Sequence, residues 1–152
     1  MSPFRERLGQ AEALVVHIRR LGGRNIRIAG SIRRAVENPR DIDIVVVNPH
    51  VLLMEHIKVL LDDASGKDLK VSGLWRGVHA DVVACQDYEY GAMMLYLTGS
   101  MRLNIMMRAR AKRMGMKLNQ YGLWRGEDIV ARSTEASIFE HLEMDYLEPE
   151  AR

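Results

Sequence analysis

The 152-residue sequence holds a single cysteine, Cys85, so no disulfide can staple the chain internally, and a reducing, cytoplasmic location is the expectation. Only four prolines, with no internal repeat, low-complexity segment or Pro/Ser-rich linker, leave no sign of a fibrous or disordered chain. No apolar run approaches the length needed to cross a bilayer. MSPFRERLGQ also mixes acidic and basic residues where a secretory leader needs a continuous apolar stretch, so no membrane partner is expected. What remains, 47% apolar and 28% charged, is the composition of a globular chain long enough to bury a core. Nothing in it demands oligomerisation, and a monomer is expected.

A net charge of +2 conceals a strong asymmetry. Between Gly99 and Gly126 stand seven basic residues (Arg102, Arg108, Arg110, Lys112, Arg113, Lys117 and Arg125) and no acidic one. From Glu127 onward the balance reverses, with eight acids against Arg132 and Arg152. Most charge runs are only solvated faces, but an acid-free block of this length suits a phosphate-backbone partner.

Phe4, Leu8, Ala11, Leu14, Val15, Ile18 and Leu21 recur at helical spacing and stop at Gly22-Gly23, which predicts an opening amphipathic helix. Asn25–Ala29 and Asp41–Val47 read as strands, Val51–Leu61 as a short helix, and Lys70–Trp75 with Val78–Cys85 as a hairpin turned at Arg76-Gly77. Helices follow over Tyr88–Leu97 and Ser100–Met114, then a small hairpin region over Met116–Val130 and a last helix near Thr134–Leu142. The fold class is therefore α+β: a mixed sheet with helices on one face for residues 1–90, and a smaller basic α/β lobe for residues 91–152.

Asp41 and Asp43 lie two apart on a predicted strand, so both carboxylates leave one face while Ile42 and Ile44 point to the other. Alone, this alternation is what any half-solvated strand shows. Upstream, however, the strand NIRIA runs into Gly30-Ser31-Ile32-Arg33-Arg34, where a glycine admits close backbone approach and a hydroxyl and guanidinium can bind phosphate oxygens. Downstream, Asp81 interrupts the apolar strand Val78–Cys85, and a lone buried carboxylate costs several kcal/mol unless paired or metal-bound. A shared site for two Mg²⁺ ions, with Mn²⁺ as a substitute, accounts for all three carboxylates: Asp41 and Asp43 would bridge both ions and Asp81 would bind one.

AGSIRRAVENPRDIDIVVV resembles the Gly-Ser plus Asp-x-Asp signature of the polymerase-beta-like nucleotidyltransferases, and the doubled Arg33-Arg34 resembles the family X DNA polymerases in particular. GAMMLYLTGSMRLNIMMRARAKRMGMKLNQYGLW is similar to the family's Tyr-aromatic-Thr-Gly-Ser turn, the Asn on the next helix, and the basic helix leading into Leu-Asn-x-Tyr-Gly-Leu. IFEHLEMDYLEPEAR resembles its closing Tyr-x-x-Pro-Glu-x-Arg. The resemblance spans nearly the whole chain from about Ala11. It implies a nucleotidyltransferase palm in which Asp41, Asp43 and Asp81 are the catalytic metal ligands, with Asp81 nearest the primer 3′-hydroxyl. Ser31 and Arg34 would hold the β- and γ-phosphates near the Gly30 backbone. Tyr96 and Gly99 would line the sugar, next to a Gly-Ser bond often cis in the family. Asn104 would read the minor-groove edge of the incoming base and Arg108 that of the template strand. Lys117 and Tyr121 would contact the template strand, and Arg102, Lys112 and Arg113 the DNA backbone.

The activity so implied is DNA-directed, gap-filling synthesis of the repair type, from dNTP to a primer 3′-OH on primer-template or gapped DNA. Template-independent or RNA-directed terminal transfer, including transfer from NTP, is the alternative. A binding module with a relic site is disfavoured by three intact aspartates, and transfer to a small molecule by the acid-free block. Two departures from the family pattern stand out: Arg40 replaces the usual Gly before the first aspartate, and Leu97 the aromatic after Tyr96. One helix alone precedes the catalytic segment, so a minimal form without lyase and helix-hairpin-helix regions is expected. His17, His50, His56, His79 and His141 show no metal-ligand spacing, the methionines read as core packing, Trp75 and Trp124 as packing lids, and Cys85 as inert and buried.

Overall fold

Apolar residues at three- and four-residue spacing make Pro3–Arg20 (α1) a helix that buries Ala11, Leu14 and Ile18. Its start is set by Ser2, whose hydroxyl accepts the Arg5 N–H at 3.2 Å, and by Pro3 in the first turn, where a missing N–H costs nothing. The computed structural model describes residues 1–152, which form two units, Met1–Cys85 and Gln86–Arg152. None of the helices is long and apolar enough to cross a membrane.

After α1 the first unit continues through β1 (Asn25–Ile28), the single turn α2 (Gly30–Arg33), β2 (Ile42–Val47), α3 (Leu53–Leu60), β3 (Asp62–Lys67), β4 (Lys70–Trp75) and β5 (Val78–Cys85). The sheet order is β1-β2-β5-β4-β3, with β2 and β5 parallel at the centre and every other pairing antiparallel. These two strands are the most apolar and the most buried, as central parallel strands should be. Ile42, Ile44 and Val46 of β2 join Ala80, Val82 and Ala84 of β5 in a core covered by α1 and α3, so the helices cover one face. Asp43, Asp81 and Ser72 therefore project from the other.

β3 has no counterpart in the expected elements. Its sequence, DDASGK, has the composition of a turn, and it becomes a strand only because β4 offers an antiparallel edge, interrupted by a bulge between Asp62 and Ser65. Its exposed polar residues also blunt that edge against further pairing.

The second unit holds a 3₁₀ turn (Asp87–Glu89), α4 (Tyr90–Thr98), α5 (Met101–Arg113), β6 (Lys117–Asn119), β7 (Gly122–Arg125), β8 (Asp128–Ala131), α6 (Glu135–His141) and a final 3₁₀ turn (Pro149–Ala151). The hairpin region expected over Met116–Val130 is a three-stranded antiparallel sheet in the order β6-β7-β8. Leu103, Met107 and Ala111, one stripe of α5, pack with Leu95, Leu123, Ile138, Phe139 and Leu142. The methionines divide: Met93, Met94, Met107 and Met116 are buried, whereas Met101 and Met106 are exposed.

Candidate active site

β2 and β5 run in parallel register with Asp43 opposite Asp81 and Ile42 opposite Ala80, which places Asp41, His79, Asp43 and Asp81 on one patch of one face. Asp43 is partly buried. Its pKa is raised from 3.8 to about 6, first by burial and then by the neighbouring charges of Asp81 and Asp41, with partial relief from His79 and Lys70. Three like charges are thus concentrated where one already resists ionisation.

Gly30 forms the wall beside Asp43. It has φ of +64°, and a Cβ at this position would stand 2.1 Å from Asp43 Oδ2, so any side chain would displace the carboxylate. The Ala29 N–H donates to the Asp43 carbonyl at 2.8 Å, tying the end of β1 to β2 and setting Ser31 one residue beyond Gly30. Arg33 and Arg34 follow, both partly buried. The loop leading to Asp41 is anchored by Arg7, whose Nε donates to the Pro39 carbonyl at 3.0 Å. Arg40, at the position where the resemblance expects glycine, is exposed.

Asp81 departs from the expectation of a lone buried carboxylate. Its side chain keeps 22% exposure, and Ser72 Oγ donates to Asp81 Oδ1 at 2.5 Å. Ser72 is its cross-strand partner in the β4–β5 hairpin, a position that counting back from the Arg76-Gly77 turn yields directly: Trp75 pairs with Val78, hence Ser72 with Asp81. His79 is the second residue missed in the sequence. Read there as an isolated histidine, it stands with Nδ1 3.9 Å from Asp41 Oδ1 and Nε2 3.8 Å from Asp81 Oδ1, beyond hydrogen-bond length but within ion-pair range. Asp41 itself is more than half exposed. The three aspartates share a patch, yet no group of three or more His, Cys, Asp or Glu side chains is drawn into a closed ligand shell.

In the second unit, Tyr96, Asn104 and Arg108 come together with Ala92, Leu95, Leu118 and Asn119 around a narrow crevice. Asn104 Nδ2 donates to the Tyr96 carbonyl at 2.9 Å, and the Arg108 guanidinium lies 5.2 Å from the centre of the Tyr96 ring. Gly99 ends α4, and its peptide bond to Ser100 is cis. Ser100 then caps α5 and donates its hydroxyl to the Arg152 carbonyl at 2.8 Å. Arg102, Arg108, Lys112, Arg113 and Lys117 are exposed, and Tyr121 is half-buried in the turn where the Asn119 side chain accepts the Tyr121 and Gly122 N–H groups. Arg110, a member of the same basic block, is occupied: Nε donates to the Leu142 carbonyl at 2.5 Å and Nη2 to that of Glu143 at 3.1 Å.

Residues 93–152 match the family model described as DNA polymerase beta thumb. Repair DNA polymerase X of African swine fever virus (isolate Warthog/Namibia/Wart80/1980) is 28% identical over 143 residues, covering 85% of this chain and 82% of the viral protein. DNA polymerase IV of Saccharomyces cerevisiae is 39% identical over 72 residues, covering 47% of this chain and 12% of the yeast protein. DNA polymerase/3'-5' exonuclease PolX of Bacillus subtilis is 26% identical over 133 residues, covering 82% and 23%. The mixed α+β fold and these relatives define an enzyme of the nucleotidyltransferase class, a DNA polymerase. Within that class, the similarity is to the polymerases named X along most of the chain and to the polymerase beta thumb over residues 93–152.

Proposed function

We propose that the chain is a repair DNA polymerase whose Asp41, Asp43 and Asp81 hold two Mg²⁺ ions and transfer a nucleoside monophosphate from dNTP to a primer 3′-OH. The observation that carries this reading is the pairing of Asp43 with Asp81 on adjacent parallel strands, with Asp41 on the same face and Asp43 raised to a pKa of about 6 by burial and then by these neighbours. Such a cluster of hard, like-charged oxygen donors fits a divalent cation better than any other partner, and Mn²⁺ would serve in place of Mg²⁺. When bound, the ions supply an activated hydroxyl and neutralise the triphosphate.

The remaining residues bind and orient. Asp81 holds its place through Ser72, and in this reading it would lie nearest the attacking hydroxyl. Ser31 and Arg34, just past the close approach of Gly30 to Asp43, take the β- and γ-phosphates. Tyr96 and Gly99 line the sugar, Asn104 meets the minor-groove edge of the incoming base, and Arg108 meets the template. Arg102, Lys112, Arg113, Lys117 and Tyr121 hold the DNA, making a palm of the first unit and a basic DNA-binding lobe of the second.

Primer extension with and without template, offering each dNTP and NTP, tests the proposal. Templated incorporation of the matched dNTP, dependent on Mg²⁺ and abolished in Asp81→Asn, is expected. Extension that ignores the template would instead assign terminal transfer, and extension retained by Asp81→Asn would overturn the site.

A further inference from the structure

The far end of the first unit's sheet bears a cavity of about 400 Å³ lined by Gly22, Arg24, Asn48, Pro49 and His50, a volume within the range of ligand pockets. It is separate from the carboxylate patch. Asn25, beside Arg24, pairs with Val47, and Val47 lies four residues along β2 from Asp43, roughly 13 Å at strand rise. Local bonding holds the cavity's shape. His50 Nε2 donates to the Leu21 carbonyl at 3.2 Å while Nδ1 accepts the Leu52 N–H at 3.3 Å, which fixes the ring. Gly22, with φ of +106°, lies where a Cβ would come within 3.0 Å of that ring, so glycine keeps the wall thin.

Its surroundings carry one sign of charge. From Ala13 to Val36 there is no acidic residue and six arginines, and none is acidic from Ile44 to Met54, Glu55 being the first. Arg24 lines the cavity, Arg19 and Arg20 stand at the end of α1 just before its Gly22, and all three are exposed and take part in no ion pair. Arg19 and Arg20 also complement the negative end of the α1 dipole, which accounts for two charges but not for Arg24 or for a cleft beside it.

We propose that this cleft, with Arg19, Arg20 and Arg24, binds the phosphodiester backbone of a stretch of nucleic acid beyond the part served by the carboxylate patch. Guanidinium groups suit phosphate oxygens, and neutralising phosphates releases condensed counterions. The inference rests on the polymerase reading only in taking DNA as the polyanion. A second grip on the backbone lengthens the stretch of DNA that is held.

The test compares wild type with Arg19→Gln/Arg20→Gln/Arg24→Gln and with the charge-preserving Lys triple variant, on a series of primer-templates from minimal to long. Wild type and the Lys variant should gain affinity as the DNA lengthens. The Gln variant should not, and on long DNA its salt slope should fall by about 0.9 for each phosphate no longer neutralised, roughly 1.8 for two. Turnover on the minimal substrate should be the same in all three. Equal affinity and slope of wild type and the Gln variant at every length would overturn the inference while leaving the polymerase reading intact. A Gln variant that binds even the minimal primer-template more weakly than wild type by the same factor at every length would assign these arginines to the fold and overturn it too. Failure of the wild type to bind any DNA would end both.

Discussion

Asp43 and Asp81 face each other across two parallel strands, and the burial of the first and the charge of the second together lift the Asp43 pKa to about 6. A carboxylate raised above its ordinary 3.8 holds its proton more tightly in the folded chain than in the unfolded one. Its contribution to stability is therefore intact below about pH 4 and is lost as pH rises through 6. Asp43→Asn removes that cost. In chelator at pH 7.5 the variant should be more stable than wild type by about 1–3 kcal/mol, and the gap should close as pH falls toward 4. Added Mg²⁺ should raise the Tm of wild type but not of the variant. Denaturation at the two pH values checks this; a variant less stable than wild type at pH 7.5 would contradict it.

Catalysis should move the opposite way. Asp43→Asn and Asp81→Asn are expected to lower turnover at least 100-fold, about 2.7 kcal/mol of barrier, with circular dichroism and DNA affinity largely unchanged. Either variant retaining more than a hundredth of wild-type turnover would be incompatible with carboxylates acting on the reacting groups.

The Ser72 hydroxyl donates to Asp81 and orients it. Ser72→Ala should lower kcat by about 5- to 30-fold, the effect of removing a hydrogen bond to a charged group worth about 1–2 kcal/mol, with KM for dNTP little changed. Ser72→Thr, which keeps the hydroxyl, should recover most of the activity. Equal activity of the Ala and Thr variants would show that the hydroxyl does not matter.

These effects differ in how far the sequence discloses them. Period-two alternation is enough to put Asp41 and Asp43 on one face, and a two-residue turn at Arg76-Gly77 is enough to pair Ser72 with Asp81 by counting. The parallel register that brings Asp81 opposite Asp43 and His79 toward Asp41 is another matter, because it joins segments 38 residues apart through no local rule. His79 looks isolated along the chain for that reason. β3 stays hidden for a different one, since DDASGK has no strand propensity and takes its conformation from β4. The stripe Leu103, Met107 and Ala111 is plain in the helical period, whereas the engagement of Arg110 by two carbonyls after α6 is a tertiary fact that charge counting cannot separate from DNA binding.

Leu97 replaces the aromatic that the family resemblance expects after Tyr96, and an aliphatic side chain makes a less rigid wall beside the sugar. Discrimination against a 2′-hydroxyl should accordingly be weaker than in Leu97→Phe. The comparison is the ratio of kcat/KM for dGTP to that for GTP in the two proteins, expected to rise several-fold in the variant; identical ratios would remove Leu97 from the sugar-selecting wall.

DNA binding should be steeply salt-dependent, and α5 should carry a large part of the slope. Arg102, Arg108, Lys112 and Arg113 are exposed, while Leu103, Met107 and Ala111 hold the opposite stripe in the core. At 100° per residue, Arg102 and Arg113 lie on one side of the exposed surface and Arg108 and Lys112 on the other, so the four present two pairs of charges to a backbone. Four neutralised phosphates at about 0.9 each predict that a fourfold rise in salt weakens binding roughly 150-fold. Replacing each of the four by Gln should lower the log-log slope by nearly one unit if it meets a phosphate, and Arg108→Gln should also slow templated insertion. Arg110→Gln is the internal control: its guanidinium already serves the Leu142 and Glu143 carbonyls, so the cost should be about 1–3 kcal/mol of stability with little change of slope. An unchanged slope in the quadruple variant would mean that α5 does not grip DNA, leaving the cleft of Arg19, Arg20 and Arg24 as the remaining concentration of exposed cations to do so.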